Sequence, residues 1–217
     1  MANNNNIKLF YSPGACSLAA HILLNEIGAK AETINLSVKN GFPEEHRGLN
    51  PKGKVPILVL NGETITENPA IFTAISQLAP ERNLLGKTGL EQVRVYEYLN
   101  YLSGTLHSQI YGQIFRPSRF TDEEAALPGV KAKGFKSLGE SLEYVESTLT
   151  GGVHAVGGQF TVVDVYLYVF YRWAAALGLD PEAKYPKYAA LVAELLKKKS
   201  AQDALAAEDV PSFAPKL

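Results

Sequence analysis

The sequence predicts an α/β domain followed by an all-helical one, and three observations carry that expectation. A strand, a helix and a second strand follow one another within about thirty residues. An Asn61-Gly62 pair then joins two further strand-like runs. Beyond Ala79-Pro80 the strand patterns largely stop and helical periodicity takes over.

Ile7 to Tyr11 (IKLFY) is an apolar run of strand type, stopped by Ser12-Pro13-Gly14. Ala15 to Ile27 places Leu18, Ile22, Leu23 and Ile27 at helical spacing, and Gly28 suits the C-terminal cap. Ala31 to Leu36 is again strand-like, which suggests a right-handed parallel βαβ unit. Val38 to Gly53 is a loop with room for one short helix. Ile57 to Leu60 and Thr64 to Ile65 make a hairpin around Asn61-Gly62. Pro69 opens a helix that carries Ile71, Ile75 and Leu78, at a position where its missing N–H costs nothing. The order βαβ then ββα is that of the thioredoxin fold.

Residues 1–6 form a polar leader expected to be disordered, 7–80 the thioredoxin-like domain, 81–89 a linker and 90–217 the helical domain. Leu90 to Phe115 is a long helix with Val93, Leu99, Leu102, Leu106 and Ile110 among its apolar positions. Thr121 to Leu127 and Val130 to Leu149 are helical, interrupted at Pro128-Gly129. Thr161 and Asp164 form a capping box. The helix they open is apolar nearly all round, so it belongs at the centre of a bundle. Tyr188 to Lys198 is the last clear helix, and the tail after Val210 is expected to be loose.

Composition removes several classes of function. The chain of 217 residues carries 21 basic and 22 acidic side chains, a formal net charge of -1. Nothing there draws it to nucleic acid or to an anionic membrane surface. Phe160 to Leu177 is interrupted by Asp164 and Arg172 and is a core helix rather than a membrane span. The N-terminus lacks the basic start and apolar stretch of a signal peptide. A single cysteine fits a reducing compartment, so a cytoplasmic location is expected. The histidines and Cys16 show no metal-ligand spacing, so no metal is assigned.

Three segments carry chemistry. The first strand–helix junction holds Tyr11, Ser12, Cys16 and Ser17. A helix N-terminus favours anions, and a cysteine there can have a lowered pKa. The junction is a seat for a sulfur anion from the protein or from a ligand, or else Cys16 is simply a small buried hydrophobe. Val55-Pro56 enters an antiparallel strand and is a candidate cis bond that turns the Val55 backbone outward, against the commoner trans form. Glu67-Asn68 stands at a helix N-terminus and can hold an ammonium and a carboxylate together, or act as an N-cap alone. His107 and Asn100, seven residues apart on one helix, share a face. Tyr96, Tyr98, Tyr101 and Tyr111 line an aromatic pocket or pack.

Taken together, KLFYSPGACSLAAHI, NPKGKVPIL, TITENPAI, LNYLSGTLH and FTVVDVYLY resemble cytosolic glutathione transferases, above all the bacterial beta class and its fungal relatives. The resemblance runs from about Ile7 to Leu205. It implies a homodimer that binds glutathione, with Cys16, Tyr11 and His107 near the glutathione sulfur. It implies that the Val55 backbone beside Pro56 pairs with the cysteinyl part, and that Glu67 and Asn68 hold the γ-glutamyl end. Lys39 and Lys54 would meet the glycyl carboxylate, and Asn100 would reach the ligand across the dimer interface. Asn68 departs from the family's usual Ser or Gly, and Ser108 from a frequent Lys. Ser12 replaces the first cysteine of the glutaredoxin motif, so the redox dithiol is absent, and both Ser12 and Cys16 stay open as the thiolate-stabilising group.

The implied reaction is attack of the activated glutathione thiol on a small hydrophobic or aromatic electrophile between the domains. The alternatives are a glutathione-dependent cis–trans isomerase acting by reversible addition to a double bond, thiol–disulfide exchange at Cys16, and a non-catalytic interaction module.

Overall fold

A computed structural model describes residues 5–149 and 152–216. Four strands form one sheet in the order β2-β1-β3-β4. β1 (Ile7–Tyr11) pairs in parallel with β2 (Glu32–Asn35) and antiparallel with β3 (Ile57–Leu60), which pairs antiparallel with β4 (Glu63–Thr66). Asn61 and Gly62 take φ of 53° and 92°, as a two-residue hairpin turn between right-twisted strands requires. β1 alternates between two apolar layers. Ile7, Leu9 and Tyr11 join the large core with α1 (Leu18–Glu26) and α2 (Asn68–Leu78), while Phe10 packs with Leu36 and Ile57 on the other face. This is the expected thioredoxin-like arrangement.

The first four leader residues lie outside the described residues, and the next two correct the expectation of disorder. Asn61 N–H donates to Asn6 O at 2.8 Å, Asn6 N–H donates to Asn61 Oδ1 at 3.0 Å, and Asn61 Nδ2 donates to Asn5 Oδ1 at 3.0 Å. The turn residue thus ties the chain entry to the sheet.

α1 begins at Leu18 because residues 12–17 coil into turns, with Ala15 N–H on Ser12 O at 3.0 Å and Leu18 N–H on Ala15 O at 3.1 Å. It ends in a Schellman cap, with Gly28 at φ 68° and Ala29 N–H donating to Leu24 O at 3.0 Å.

The rest is helical: α3 (Gly89–Asn100), a π-helical continuation (Tyr101–Tyr111), α4 (Gly112–Phe115), α5 (Leu127–Thr148), α6 (Val162–Ala176), α7 (Pro181–Lys184), α8 (Pro186–Leu196) and α9 (Lys199–Glu208). α6 is buried from Val162 to Arg172 and forms the bundle centre, as its all-round apolarity predicts. Each large apolar side chain buried there contributes about 1.5–3 kcal/mol. Its capping box is present: Asp164 Oδ2 accepts from Thr161 N–H at 2.7 Å, and Oδ1 accepts from Ala155 N–H at 2.8 Å.

Several expectations for this half need correction. α5 is not interrupted at Pro128-Gly129; Pro128 sits in its first turn, where a proline fits. Before α5 begins at Leu127, the stretch from Thr121 holds only a short 3-10 turn, Glu124–Ala126. Leu90 and Val93 are exposed, at 67% and 60%. α9 follows the helix expected to be last, and it buries Ser200, Ala201, Ala204, Leu205 and Glu208. The tail is not loose: Pro211 O accepts from Arg172 Nε at 3.1 Å and Nη2 at 2.9 Å, and Ser212 O accepts from Tyr168 Oη at 2.8 Å.

Candidate active site

A cleft of about 760 Å³ opens between the sheet domain and the helices. A small cavity of about 60 Å³ continues it inward. Cys16, Lys54, Val55, His107 and Ser108 line both. Lys39 lines only the cleft, and Pro56, Glu67 and Asn68 only the inner cavity.

The β1–α1 loop reaches this place because the helical domain grips both sides of Gly14. Its N–H donates to Glu208 Oε2 at 2.9 Å, and its carbonyl accepts from Trp173 Nε1 at 2.9 Å. Glu208 Oε1 also lies 3.0 Å from His21 Nδ1. α9 and α6 therefore fix the turn that presents Cys16.

Cys16 Sγ donates to the Val55 carbonyl at 3.5 Å. The expectation of a lowered pKa at this helix end meets a stronger effect. Burial pushes the thiol up to about 12, although Asn68 and the N–H groups of Cys16 and Ser17 pull it down, and the charge of Glu67 adds to the rise. Cys16 at neutral pH is a protonated hydrogen-bond donor.

Ser12 and Tyr11 are buried and line neither cavity. The Ser12 N–H donates to Ser17 Oγ at 3.2 Å, and Ser17 Oγ donates back to Ser12 O at 3.2 Å, a local clasp of the loop. The Tyr11 ring packs 5.6 Å from His21, and burial, then Glu208, raises its hydroxyl pKa.

His107 faces the site, but Asn100 is exposed and lines neither cavity. The shared face expected for them assumes an α-helix. Between them runs the π-helical stretch, whose i→i+5 bonding widens each turn, so seven residues no longer make two turns. Ser103, four residues from His107, lines the inner cavity instead. Burial first, then Lys54 and Arg119, lower the His107 pKa to about 4 against an opposing pull from Glu67, so its imidazole is neutral. Its Nδ1 lies 3.3 Å from the Tyr166 hydroxyl.

The Val55-Pro56 bond is cis. The β1–β3 ladder starts at Ile57, which leaves the Val55 peptide outside the sheet at the cavity wall. Glu67 takes φ 74°, a left-handed conformation rare for a residue with a side chain and concentrated at functional sites. Its carboxylate pairs with Lys52, whose Nζ also donates to Thr66 Oγ1 at 2.8 Å. Asn68 is buried; its Nδ2 donates to Cys16 O at 3.4 Å, while its Oδ1 has no partner among the described residues. An orphaned buried acceptor costs about 1–3 kcal/mol, and a ligand donor would relieve it.

Sequence reasoning missed Lys52, Asn50 and Ser103 on the inner cavity side, and Arg116, Arg119, Phe115, Phe120 and Trp173 in the cleft. Asn50 and Lys52 lie inside a quoted motif, where Asn50 Nδ2 donates to Lys54 O at 2.7 Å and braces the loop. The cleft residues carry no motif of their own.

Comparison with known proteins gives the family. Residues 5–77 match the family described as glutathione S-transferase, N-terminal domain, and residues 107–198 the one described as glutathione S-transferase, C-terminal domain. The chain is 36% identical to glutathione S-transferase GstA of Escherichia coli O157:H7 over 93% of its own length and 98% of the relative's. It superposes on a sphingomonad glutathione S-transferase complexed with glutathione at TM-score 0.81 and 36% identity, covering 94% of this chain and all (100%) of that one. A beta-class enzyme of Sphingomonas chungbukensis gives TM-score 0.79 and 34% identity over 94% of this chain and 100% of that one.

Proposed function

The chain belongs to the glutathione S-transferase family, and from that premise we propose that it activates the glutathione thiol for attack on a hydrophobic electrophile in the outer cleft. Glutathione, the cosubstrate, supplies the sulfur nucleophile. The observation that carries the reading is the unpartnered, buried Asn68 Oδ1 beside a left-handed Glu67, both opening on the cavity that holds Cys16 and Val55.

In this reading residues 7–80 bind glutathione. Glu67 attracts the γ-glutamyl ammonium, and Asn68 meets the same end with its amide. The Val55 peptide pairs with the cysteinyl part, and Lys39 and Lys54 attract the glycyl carboxylate. Cys16, a protonated thiol, and His107, a neutral imidazole, offer hydrogen bonds to a sulfur anion and lower its pKa. Tyr11 and Ser12 act through the loop, not by contact. Residues 90–217 complete the cleft. Leu90, Val93 and Tyr96, exposed at three-residue spacing on α3, form the face of a homodimer, through which Asn100 of the partner copy would approach the site. Sedimentation showing a monomer at micromolar concentration would remove that assembly. The single cysteine fits work in the cytoplasm. Among the described residues no helix is long and apolar enough to cross a membrane.

Incubation with glutathione and an aryl chloride tests the reaction. A carbon–sulfur bond forms, the carbon–chlorine bond breaks, chloride leaves with the electron pair and the thiol proton passes to solvent. Equal loss of glutathione and release of chloride is expected. Inertness there, with isomerisation of a cis-enone and full recovery of glutathione, would replace conjugation by the isomerase reading.

A further inference from the structure

The outer cleft carries more positive charge than glutathione needs. Its lining includes Lys39, Lys54, Arg116 and Arg119 and no aspartate or glutamate. None of the four has an ion-pair partner among the described residues. Elsewhere on a chain of formal net charge -1, some cations sit beside acids, as Lys8 on Glu32 at 2.9 Å and Arg94 on Glu97 at 2.6 Å, and others, such as Lys30, Lys131 and Lys133, have no ion pair among the described residues. What sets the cleft apart is that four cations share one lining with no acid among them.

The four divide by wall. Lys39 and Lys54 come from the sheet domain and have a proposed use, the glycyl carboxylate. Arg116 and Arg119 come from the opposite wall, one just past α4 and the other closing the 3-10 turn Pro117–Arg119. Aromatic rings lie between them and the reacting end. Tyr111 stacks on Phe115 at 5.5 Å and 18°, and Phe115 meets Trp173 edge-on at 5.6 Å and 83°. Phe120 closes over Gly112, where even a Cβ would come within 3.1 Å of its ring. The field of Arg119 also reaches His107, whose protonated form it disfavours.

An apolar slot rimmed by guanidinium groups suits a planar apolar body that carries an anion. The arginine fork matches a carboxylate with two parallel hydrogen bonds, and it gains nothing from a neutral ring. A cleft of one charge sign with low-dielectric walls also concentrates anionic ligands. We propose that the second substrate is an aromatic electrophile bearing an acidic group, a carboxylate foremost, which Arg116 and Arg119 hold while its ring packs among Phe115, Phe120 and Trp173. The word substrate rests on the function proposed above; the anion-selective binding does not.

Trp173, the chain's single tryptophan, lines the cleft and reports occupancy by fluorescence quenching. The full chain without glutathione is titrated with 4-chloro-3-nitrobenzoate and with 4-chloro-3-nitrobenzamide, which share a ring and differ in charge. The benzoate is expected to bind about tenfold more tightly, a margin of the size a charge-assisted bidentate pair gives. The margin should shrink as salt is raised from about 20 to about 200 mM. It should vanish in the Arg116→Gln/Arg119→Gln variant and persist in part with Lys at both positions. Equal affinities in the unaltered chain, a margin that survives both Gln substitutions, or no quenching by either compound would overturn the proposal. Calorimetry of glutathione on the same proteins keeps the two readings apart. Anion selectivity without glutathione binding would remove the proposed function and leave the anion site standing.

Discussion

Two cavities of similar size share the helical stretch from Gly89 to Gly112 as a wall, and they differ in what their polar groups lack. One is the cleft of about 760 Å³. The other, about 690 Å³, lies between α3, the end of α5 and residues 155–157. In the second, polar groups satisfy one another. Arg94 Nη1 pairs with Glu97 Oε2 at 2.6 Å, Tyr98 Oη donates to Thr148 Oγ1 at 2.8 Å, and Glu91 Oε2 accepts from Lys87 N–H at 2.6 Å. In the first, the cations have no ion-pair partner and the adjoining buried Asn68 Oδ1 has no donor among the described residues. Volume is common to both, whereas unmet polar demand belongs to one. Demand of that kind is costly in a folded chain and persists where a ligand relieves it.

The difference can be broken or sharpened by pH and by substitution. The largest effect is expected at His107. Its folded pKa of about 4 lies below the unfolded value of 6.5, so the unfolded chain binds more protons between those pH values. Stability is whole above about pH 6.5 and falls as pH drops toward 4, by on the order of 3 kcal/mol. Urea midpoints at about pH 7 and pH 4.5 should therefore converge in His107→Gln relative to the unaltered chain. An unchanged gap would mean that His107 is not held neutral.

Next comes Cys16. As a protonated donor it favours a neighbouring sulfur anion, so Cys16→Ala should raise the apparent pKa on the kcat/KM profile and cost about tenfold at neutral pH, the worth of one such hydrogen bond. Ser12→Ala, outside both cavities, should leave that pKa in place. The reverse pattern would exchange their roles.

The smallest effect is expected beside the second cavity. The Asp164 carboxylate, 3.7 Å from His154 Nδ1, raises the His154 pKa against partial burial. The sign is opposite to that of His107: this contribution is present below the unfolded pKa and is lost as pH rises through the folded value. His154→Gln should therefore lower the melting temperature at about pH 5.5 and leave it alone at about pH 9. Equal losses at both pH values would contradict the charge-based account.

The parts legible in the sequence are those fixed by local rules. Asn61-Gly62 specifies its turn through φ preference, Thr161 and Asp164 their helix start through two hydrogen bonds, and α6 its central place through unbroken apolarity. What escaped depends on distant partners. α9 packs through small residues, Ala201 and Ala204, which leave almost no hydrophobic pattern. The tail is ordered by Arg172 and Tyr168, some forty residues earlier in the chain. The pKa of Cys16 follows from desolvation, which a helix-end argument does not contain. Arg116 and Arg119 matter only because no acid faces them across the cleft, and that absence belongs to the fold.

The claim that the inner cavity beside Asn68, and not the second cavity, holds glutathione is tested most directly by calorimetric titration of glutathione into the unaltered chain, Glu67→Ala and Glu97→Ala. Glu67→Ala should weaken binding by roughly 10- to 100-fold, the span expected for a lost hydrogen bond to a charged group. Glu97→Ala, in the self-satisfied cavity, should leave it within about twofold. Equal losses from the two substitutions, or a loss confined to Glu97→Ala, would contradict the account.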